Sequence, residues 1–100
     1  MLDVAPGHLK IVREILREYV PNRTVWAFGS RTKGTARRYS DLDLAIPGEA
    51  PLTLGQRGAI QEAFSESDLP FRVDLLDWAT TAPGFRSLIE QDRIVVQAGD

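Results

Sequence analysis

Asp41 and Asp43 are separated by a single residue in the segment DLDLAI, residues 41–46. Acidic and apolar residues alternate in this segment with a period of two, which predicts a β-strand with both carboxylates on one face. Carboxylate oxygens placed in this way can bind a shared magnesium ion, which prefers carboxylate, phosphate and water ligands. The alternative is an exposed edge strand with two solvated acids, and for an isolated Asp-x-Asp pattern that alternative is the commoner one.

Gly29-Ser30 follows a β-branched and aromatic segment, TVWAF at residues 24–28, which predicts a buried strand. Glycine lets a polyphosphate approach the backbone, and a helical turn from Ser30 would direct free N–H groups at it. Alone, the pair equally fits an ordinary turn with Ser30 as N-cap. The ten residues 31–40 before Asp41 are few for a parallel crossover. We therefore expect antiparallel strands, with phosphate donors at Ser30 beside metal ligands at Asp41.

A third acid, Asp74, lies inside the apolar segment FRVDLL, residues 71–76. Burying a carboxylate in a strand is costly unless it is paired or binds a metal, so Asp74 is predicted to be a third metal ligand. The alternative is an ion pair between Asp74 and Arg72 at a strand edge. Asp77, at the end of the same segment, is the weaker candidate.

Four cations occupy the loop between the two motifs: Arg31, Lys33, Arg37 and Arg38. Arg31 follows Ser30 directly, so we expect it to contact the phosphates of a bound nucleotide. For the other three, phosphate binding is balanced against a solvated loop or a docking surface for an acidic partner.

Helices are predicted for His8–Val20, Thr53–Ser67 and Pro83–Gln91, with a short helical turn after Ser30. Thr53 and Gln56 have the spacing of a capping box. Phe85, Leu88 and Ile89 are expected to face inward. The predicted fold is a single α/β (α+β) domain over residues 1–100, with a small mixed three-stranded sheet flanked by about four helices. The strands are Thr24–Phe28, Asp41–Ile46 and Phe71–Leu76, and Ile94–Val96 is considered as a short terminal strand.

The composition excludes several classes of protein. Hydrophobic residues make up 43% of the 100 residues and charged residues 26%, as in an ordinary soluble globular domain. The absence of cysteine excludes disulfides and thiolate metal sites. No apolar run approaches the roughly 20 residues of a membrane span, and the N-terminus does not look like a signal peptide, so a cytoplasmic location is expected. A net charge of −2 argues against direct nucleic-acid binding.

The segment GSRTKGTARRYSDLDLAI, residues 29–46, resembles the minimal nucleotidyltransferase family. This family belongs to the DNA polymerase β-like nucleotidyltransferase superfamily, whose signature is Gly-Ser, a spacer, Asp-x-Asp and a later third acid. The resemblance extends over nearly the whole chain, including FRSLIEQDRIVV at residues 85–96. It implies that ATP is the substrate, with Gly29 and Ser30 at its phosphates. It also implies catalytic carboxylates that hold two Mg²⁺ ions, and these are Asp41, Asp43 and Asp74.

Many members of that family are antitoxins, so the resemblance also implies a partner, a helical HEPN-domain ribonuclease toxin. In a type VII-like pair the antitoxin transfers AMP from ATP to a tyrosine of the toxin. A domain that uses all 100 residues for its core leaves no second domain for an acceptor, so another chain is expected to present it. We also expect the first helix and residues 85–96 to keep apolar surface exposed for that chain. The alternatives are a binding-only antitoxin and an enzyme that modifies a small hydroxylated molecule.

Overall fold

Helices and strands alternate along the chain in the computed structural model, which describes residues 2–48 and 50–99. The predicted elements are present, with ends that differ by at most two residues from those expected. The helices are α1 (Pro6–Tyr19), α2 (Ser30–Lys33), α3 (Leu54–Ser65) and α4 (Pro83–Asp92); the strands are β1 (Val25–Phe28), β2 (Leu42–Ile46), β3 (Val73–Asp77) and β4 (Ile94–Gln97), and a 3-10 turn spans Trp78–Thr80.

Local sequence signals set the helix starts. Pro6 occupies the first turn of α1, where its missing N–H costs no hydrogen bond. At α3, the hydroxyl of Thr53 accepts from the backbone N–H of Gln56, and the Gln56 side chain accepts from the backbone N–H of Thr53. The predicted capping box is therefore confirmed.

In the part of the chain that the structure describes, the sheet has four strands in the order β3-β2-β1-β4, so the prediction of three strands was wrong. β1 pairs antiparallel with both β2 and β4, and β2 pairs parallel with β3. The antiparallel β1–β2 pairing predicted from the loop length is confirmed. The fourth strand forms because the β-branched residues 94–96 return alongside β1 and pair with its free edge.

The two faces of the sheet are covered differently. Alternate residues of β1, β2 and β3 point into a core that they share with α1 and α3. The opposite face carries a smaller core around Ala45, Trp78 and Ile89, which α4 and the 3-10 turn complete. Main-core residues with no exposure include Val12, Leu16, Val25, Ala27, Leu42, Leu44 and Ile60.

Helix α4 buries less than its sequence suggested. Ile89 faces inward as expected, at 2% exposure, but Phe85 is 44% and Leu88 57% exposed. Phe85 still touches the sheet, since its ring lies edge-on to Phe28 at 6.1 Å between centroids. With Val95 at 51%, the region 85–96 does present apolar surface. Within residues 2–48 and 50–99, no helix combines the length and apolarity that a bilayer span requires.

Candidate active site

Asp43 and Asp74 lie side by side on neighbouring strands. The parallel register of β2 and β3 places Asp43 directly opposite Asp74, and adjacent strands are separated by about 4.8 Å. Their neighbours Leu42, Leu44 and Val73 are buried in the main core, so both carboxylates point to the other face. Asp74 is exposed, which removes the burial cost on which its prediction partly rested. Two of the three predicted acids are nevertheless brought together.

Asp41 lies one residue before β2 and forms an ion pair. Arg72 donates from Nη2 to Oδ2 of Asp41 at 2.9 Å. The alternative prediction, an ion pair between Arg72 and Asp74, was therefore wrong, because Arg72 pairs with Asp41. The register explains this choice: Leu42 pairs with Val73, so the residues just before the two strands are also neighbours.

Gly29 closes the other side of the acidic site. Phe28, the last residue of β1, pairs with Asp43, and Gly29 follows in the left-handed region at φ +85°. A Cβ atom at Gly29 would overlap Oδ2 of Asp43. The positive φ favours glycine here, and the missing side chain leaves room for the Asp43 carboxylate in its present position. Ser30 begins α2 here, and the first N–H groups of a helix have no intrahelical acceptor.

Arg31 has a different place from the one expected. Its side chain is 5% exposed and donates to three backbone carbonyl groups. Nε and Nη2 donate to the carbonyl oxygen of Ser40, Nη2 also to that of Arg38, and Nη1 to that of Asp3. The guanidinium also lies 4.2 Å from the centre of the Phe71 ring. An engaged and buried guanidinium does not fit the expected phosphate contact; it holds the loop that leads into Asp41.

The other loop cations are more open. Lys33 lies 3.6 Å from Asp92 of α4, with both side chains about half exposed. The guanidinium of Arg38 lies over the ring of Tyr39 at 5.4 Å, and Arg37 is exposed. For Lys33, Arg37 and Arg38, the choice between phosphate binding, a solvated loop and a docking surface for an acidic partner stays open.

Asp77 does not join the site. It ends β3 opposite Ile46, at the far end of the strand pair from Asp43. Its carboxylate accepts from the backbone N–H of Ala79 and so caps the following 3-10 turn. Asp77 therefore lies apart from the pair formed by Asp43 and Asp74.

The electrostatics of the site centre on Asp43. Burial raises the pKa of Asp43, and the neighbouring charges of Asp74 and Asp41 raise it further, while the Arg72 charge lowers it. Conversely, the hydrogen bond and charge of Asp41 raise the pKa of Arg72. The site therefore carries a surplus of negative charge, which a bound cation would relieve.

The carboxylate oxygens of these residues are the type of ligand that Mg²⁺ prefers, but the three carboxylates do not converge on one point. Three carboxylates share one face, and hard oxygen ligands are those that Mg²⁺ prefers. Across residues 2–48 and 50–99, however, no three acidic, histidine or cysteine side chains converge as a metal-binding group. Asp41 instead pairs with Arg72. The donor set fits the ion if Asp41 leaves this ion pair and turns toward Asp43.

A four-stranded mixed sheet with paired carboxylates beside a glycine turn is the arrangement of a nucleotidyl-transferring domain. The family model described as nucleotidyltransferase domain matches residues 9–98. The chain belongs to this nucleotidyltransferase domain family, and the resemblance drawn from residues 29–46 is confirmed.

A curated protein matches nearly the whole chain. The probable protein adenylyltransferase MntA of Haemophilus influenzae is 58% identical over 96 residues, which cover 96% of this chain and 84% of the relative. That relative agrees with the minimal nucleotidyltransferase resemblance.

Solved structures share the fold. A toxin–antitoxin crystal structure with AMP-PNP superposes with a TM-score of 0.74 at 22% identity, over 92% of this chain and 74% of the other. A mutant of the toxin–antitoxin MntA-HpeT gives a TM-score of 0.73 at 20% identity, again over 92% and 74%. At this identity the similarity shows that these proteins share the fold of this chain.

Proposed function

We propose that this chain is a magnesium-dependent adenylyltransferase that acts as the antitoxin of a toxin–antitoxin pair. The observation that carries the proposal is the pairing of Asp43 with Asp74, immediately beside the side-chain-free Gly29. The 58% identity to a relative named as a probable protein adenylyltransferase supports AMP as the group transferred and a protein as the acceptor. The structural neighbours named as toxin–antitoxin assemblies support the biological setting.

ATP would bind with its phosphates at Gly29 and Ser30. The positive φ and the missing side chain of Gly29 leave the backbone open next to Asp43. The structure with AMP-PNP, an ATP analogue, is a neighbour in fold and supports ATP as the donor. Arg31 would contribute through the backbone loop it holds and not through phosphate contact.

In the proposed reaction, the acceptor hydroxyl oxygen bonds to the α-phosphorus of ATP. The bond between that phosphorus and the bridging oxygen to the β-phosphate breaks, and pyrophosphate leaves. The hydroxyl proton passes to Asp74, an exposed carboxylate on an edge strand that an acceptor can approach. Bound Mg²⁺, held as two ions by Asp41, Asp43 and Asp74, would stabilise charge on the attacking oxygen and on the leaving pyrophosphate.

The acceptor in this proposal is a tyrosine hydroxyl of a helical HEPN-domain toxin, as the family resemblance implies. The apolar side chains left exposed on α4 and β4, Phe85, Leu88 and Val95, give such a partner surface to bury. A stable interface needs about 800 Å² on each partner.

The deciding experiment is incubation of the chain with the toxin encoded beside it and Mg-ATP, followed by intact mass spectrometry of the toxin. We expect mass increases by whole AMP units on a hydroxyl side chain. The Asp43→Asn/Asp74→Asn variant should still bind the toxin but leave its mass unchanged. Glu18→Gln is the matched control, because Glu18 is an exposed carboxylate on α1, the helix that packs in the core on the opposite face of the sheet.

The other outcomes choose between the alternatives. Tight binding with an unmodified toxin would favour a binding-only antitoxin. No binding, together with AMP transfer to a small hydroxylated compound, would leave the small-molecule enzyme.

A further inference from the structure

Arg72 lies beside the carboxylates of Asp41, Asp43 and Asp74 and carries a positive charge. It directly precedes β3 and donates to Asp41 at 2.9 Å, while its own side chain is 77% exposed. The guanidinium therefore balances the carboxylates in the ligand-free chain.

A metal ion and Arg72 compete for Asp41. Oδ2 of Asp41 accepts a hydrogen bond from the Arg72 guanidinium. Asp41 therefore does not converge with Asp43 and Asp74 as a set of three metal ligands. A divalent ion at these acids would repel a guanidinium held on one of its own ligands. An exposed ion pair is worth little, so the metal can displace Arg72 at small cost.

The displaced guanidinium stays near the site. The backbone of Arg72 is fixed, because its carbonyl accepts from the N–H of Leu42 at 2.9 Å and Val73 is buried next to it. The anion that arrives with the metal is the ATP triphosphate, and the planar fork of arginine suits phosphate oxygens.

We propose that Arg72 exchanges partners during substrate binding, leaving Asp41 for the phosphates of the metal-bound nucleotide. This inference rests on the proposed nucleotidyltransferase site. It makes Arg72 a nucleotide-binding residue that keeps Asp41 from the metal before ATP binds and neutralises phosphate charge in the complex.

The proposed exchange predicts that one substitution at Arg72 raises the affinity for the metal ion and lowers the affinity for ATP. Arg72→Gln should bind Mn²⁺ alone about two- to fivefold more tightly than the unmodified chain, since the competing exposed ion pair is gone. The same variant should bind ATP in saturating Mn²⁺ about tenfold more weakly, since a charge-assisted phosphate contact is lost. Electron paramagnetic resonance of free Mn²⁺ measures the first affinity, and calorimetry with ATP measures the second.

Arg17→Gln is the matched control, because it removes one exposed positive charge from α1. It should change neither affinity, and this would exclude a simple effect of net charge. Arg72→Lys keeps the charge but loses the fork, so its Mn²⁺ affinity should lie between those of the unmodified chain and Arg72→Gln.

Two results would overturn the exchange. Mn²⁺ binding that is unchanged or weaker in folded Arg72→Gln would show that Arg72 does not compete with the metal. ATP binding that is unchanged would show that Arg72 does not move to the phosphates. Failure of the unmodified chain to bind Mn²⁺ or Mn-ATP would instead reject the proposed function itself, and the exchange with it.

Discussion

Asp43 and Asp74 are direct partners in the parallel register of β2 and β3, with both carboxylates on the face opposite the main core. Two like charges so placed destabilise each other unless a cation lies between them. The repulsion lowers the stability of the fold when no cation is bound, and the arrangement suits a site that binds a metal–nucleotide complex.

The first prediction concerns catalysis and stability together. Asp43→Asn and Asp74→Asn should each reduce AMP transfer by about a hundredfold or more, because each removes a metal ligand or a proton acceptor. Neither should lower the melting temperature without metal, since each relieves carboxylate repulsion. Activity assays with thermal melts in EDTA measure both effects. A marked loss of stability would mean that these acids are structural.

The second prediction is a pH dependence at Asp43. Its pKa is raised above the ordinary value of 3.8, mainly by burial and then by Asp74 and Asp41. The folded chain therefore keeps this proton to higher pH than the unfolded chain, and the resulting stabilisation is lost as pH rises through the folded-state pKa. In EDTA, Asp43→Asn and the unmodified chain should be equally stable below about pH 3.8, with the variant more stable above it. Urea unfolding across pH gives the difference; a variant less stable at neutral pH would contradict the assignment.

The third prediction concerns Arg31 as the residue that holds the loop before Asp41. Arg31→Gln should destabilise the chain by about 3 kcal/mol, because it removes most hydrogen bonds of a buried guanidinium to three backbone carbonyl groups. Arg31→Lys should recover only part of this, since one ammonium group cannot span the same carbonyl groups. Arg37→Gln, an exposed cation in the same loop, should change stability by less than about 0.5 kcal/mol. Equal effects of the Arg31→Gln and Arg37→Gln substitutions on urea unfolding would reject this role.

The sequence predicted most of the elements and the antiparallel pairing of β1 with β2 because both depend on local patterns. Alternation marked Asp41 and Asp43 on one face, and the short loop required antiparallel strands. The environment of Arg31 could not be predicted, since it depends on carbonyl groups of Asp3, Arg38 and Ser40 that only the folded chain brings together.

The remaining differences also arise from tertiary structure. Pairing of Arg72 with Asp41 depends on the β2–β3 register, which no local pattern specifies. The fourth strand depends on β4 returning to the free edge of β1. The helical period of α4 likewise could not show that Phe85 and Leu88 stay exposed while Ile89 is buried in the smaller core.

The last prediction concerns the turn at Gly29 and Ser30. Three glycine substitutions distinguish the cost of a strained backbone from the cost of a steric overlap. Gly58→Ala lies in α3 with nothing near its new methyl group, so it should stabilise the chain by about 0.5–1 kcal/mol. Gly34→Ala also meets no atom but has φ +73°, so it should cost about 1–2 kcal/mol from backbone strain alone. Gly29→Ala combines φ +85° with overlap on the Asp43 carboxylate and should cost more than Gly34→Ala. It alone should also abolish ATP binding, because the methyl group occupies the space beside Asp43. Urea unfolding and calorimetry with Mg-ATP measure the two effects, and a Gly29→Ala protein that binds ATP normally would move the nucleotide away from this turn.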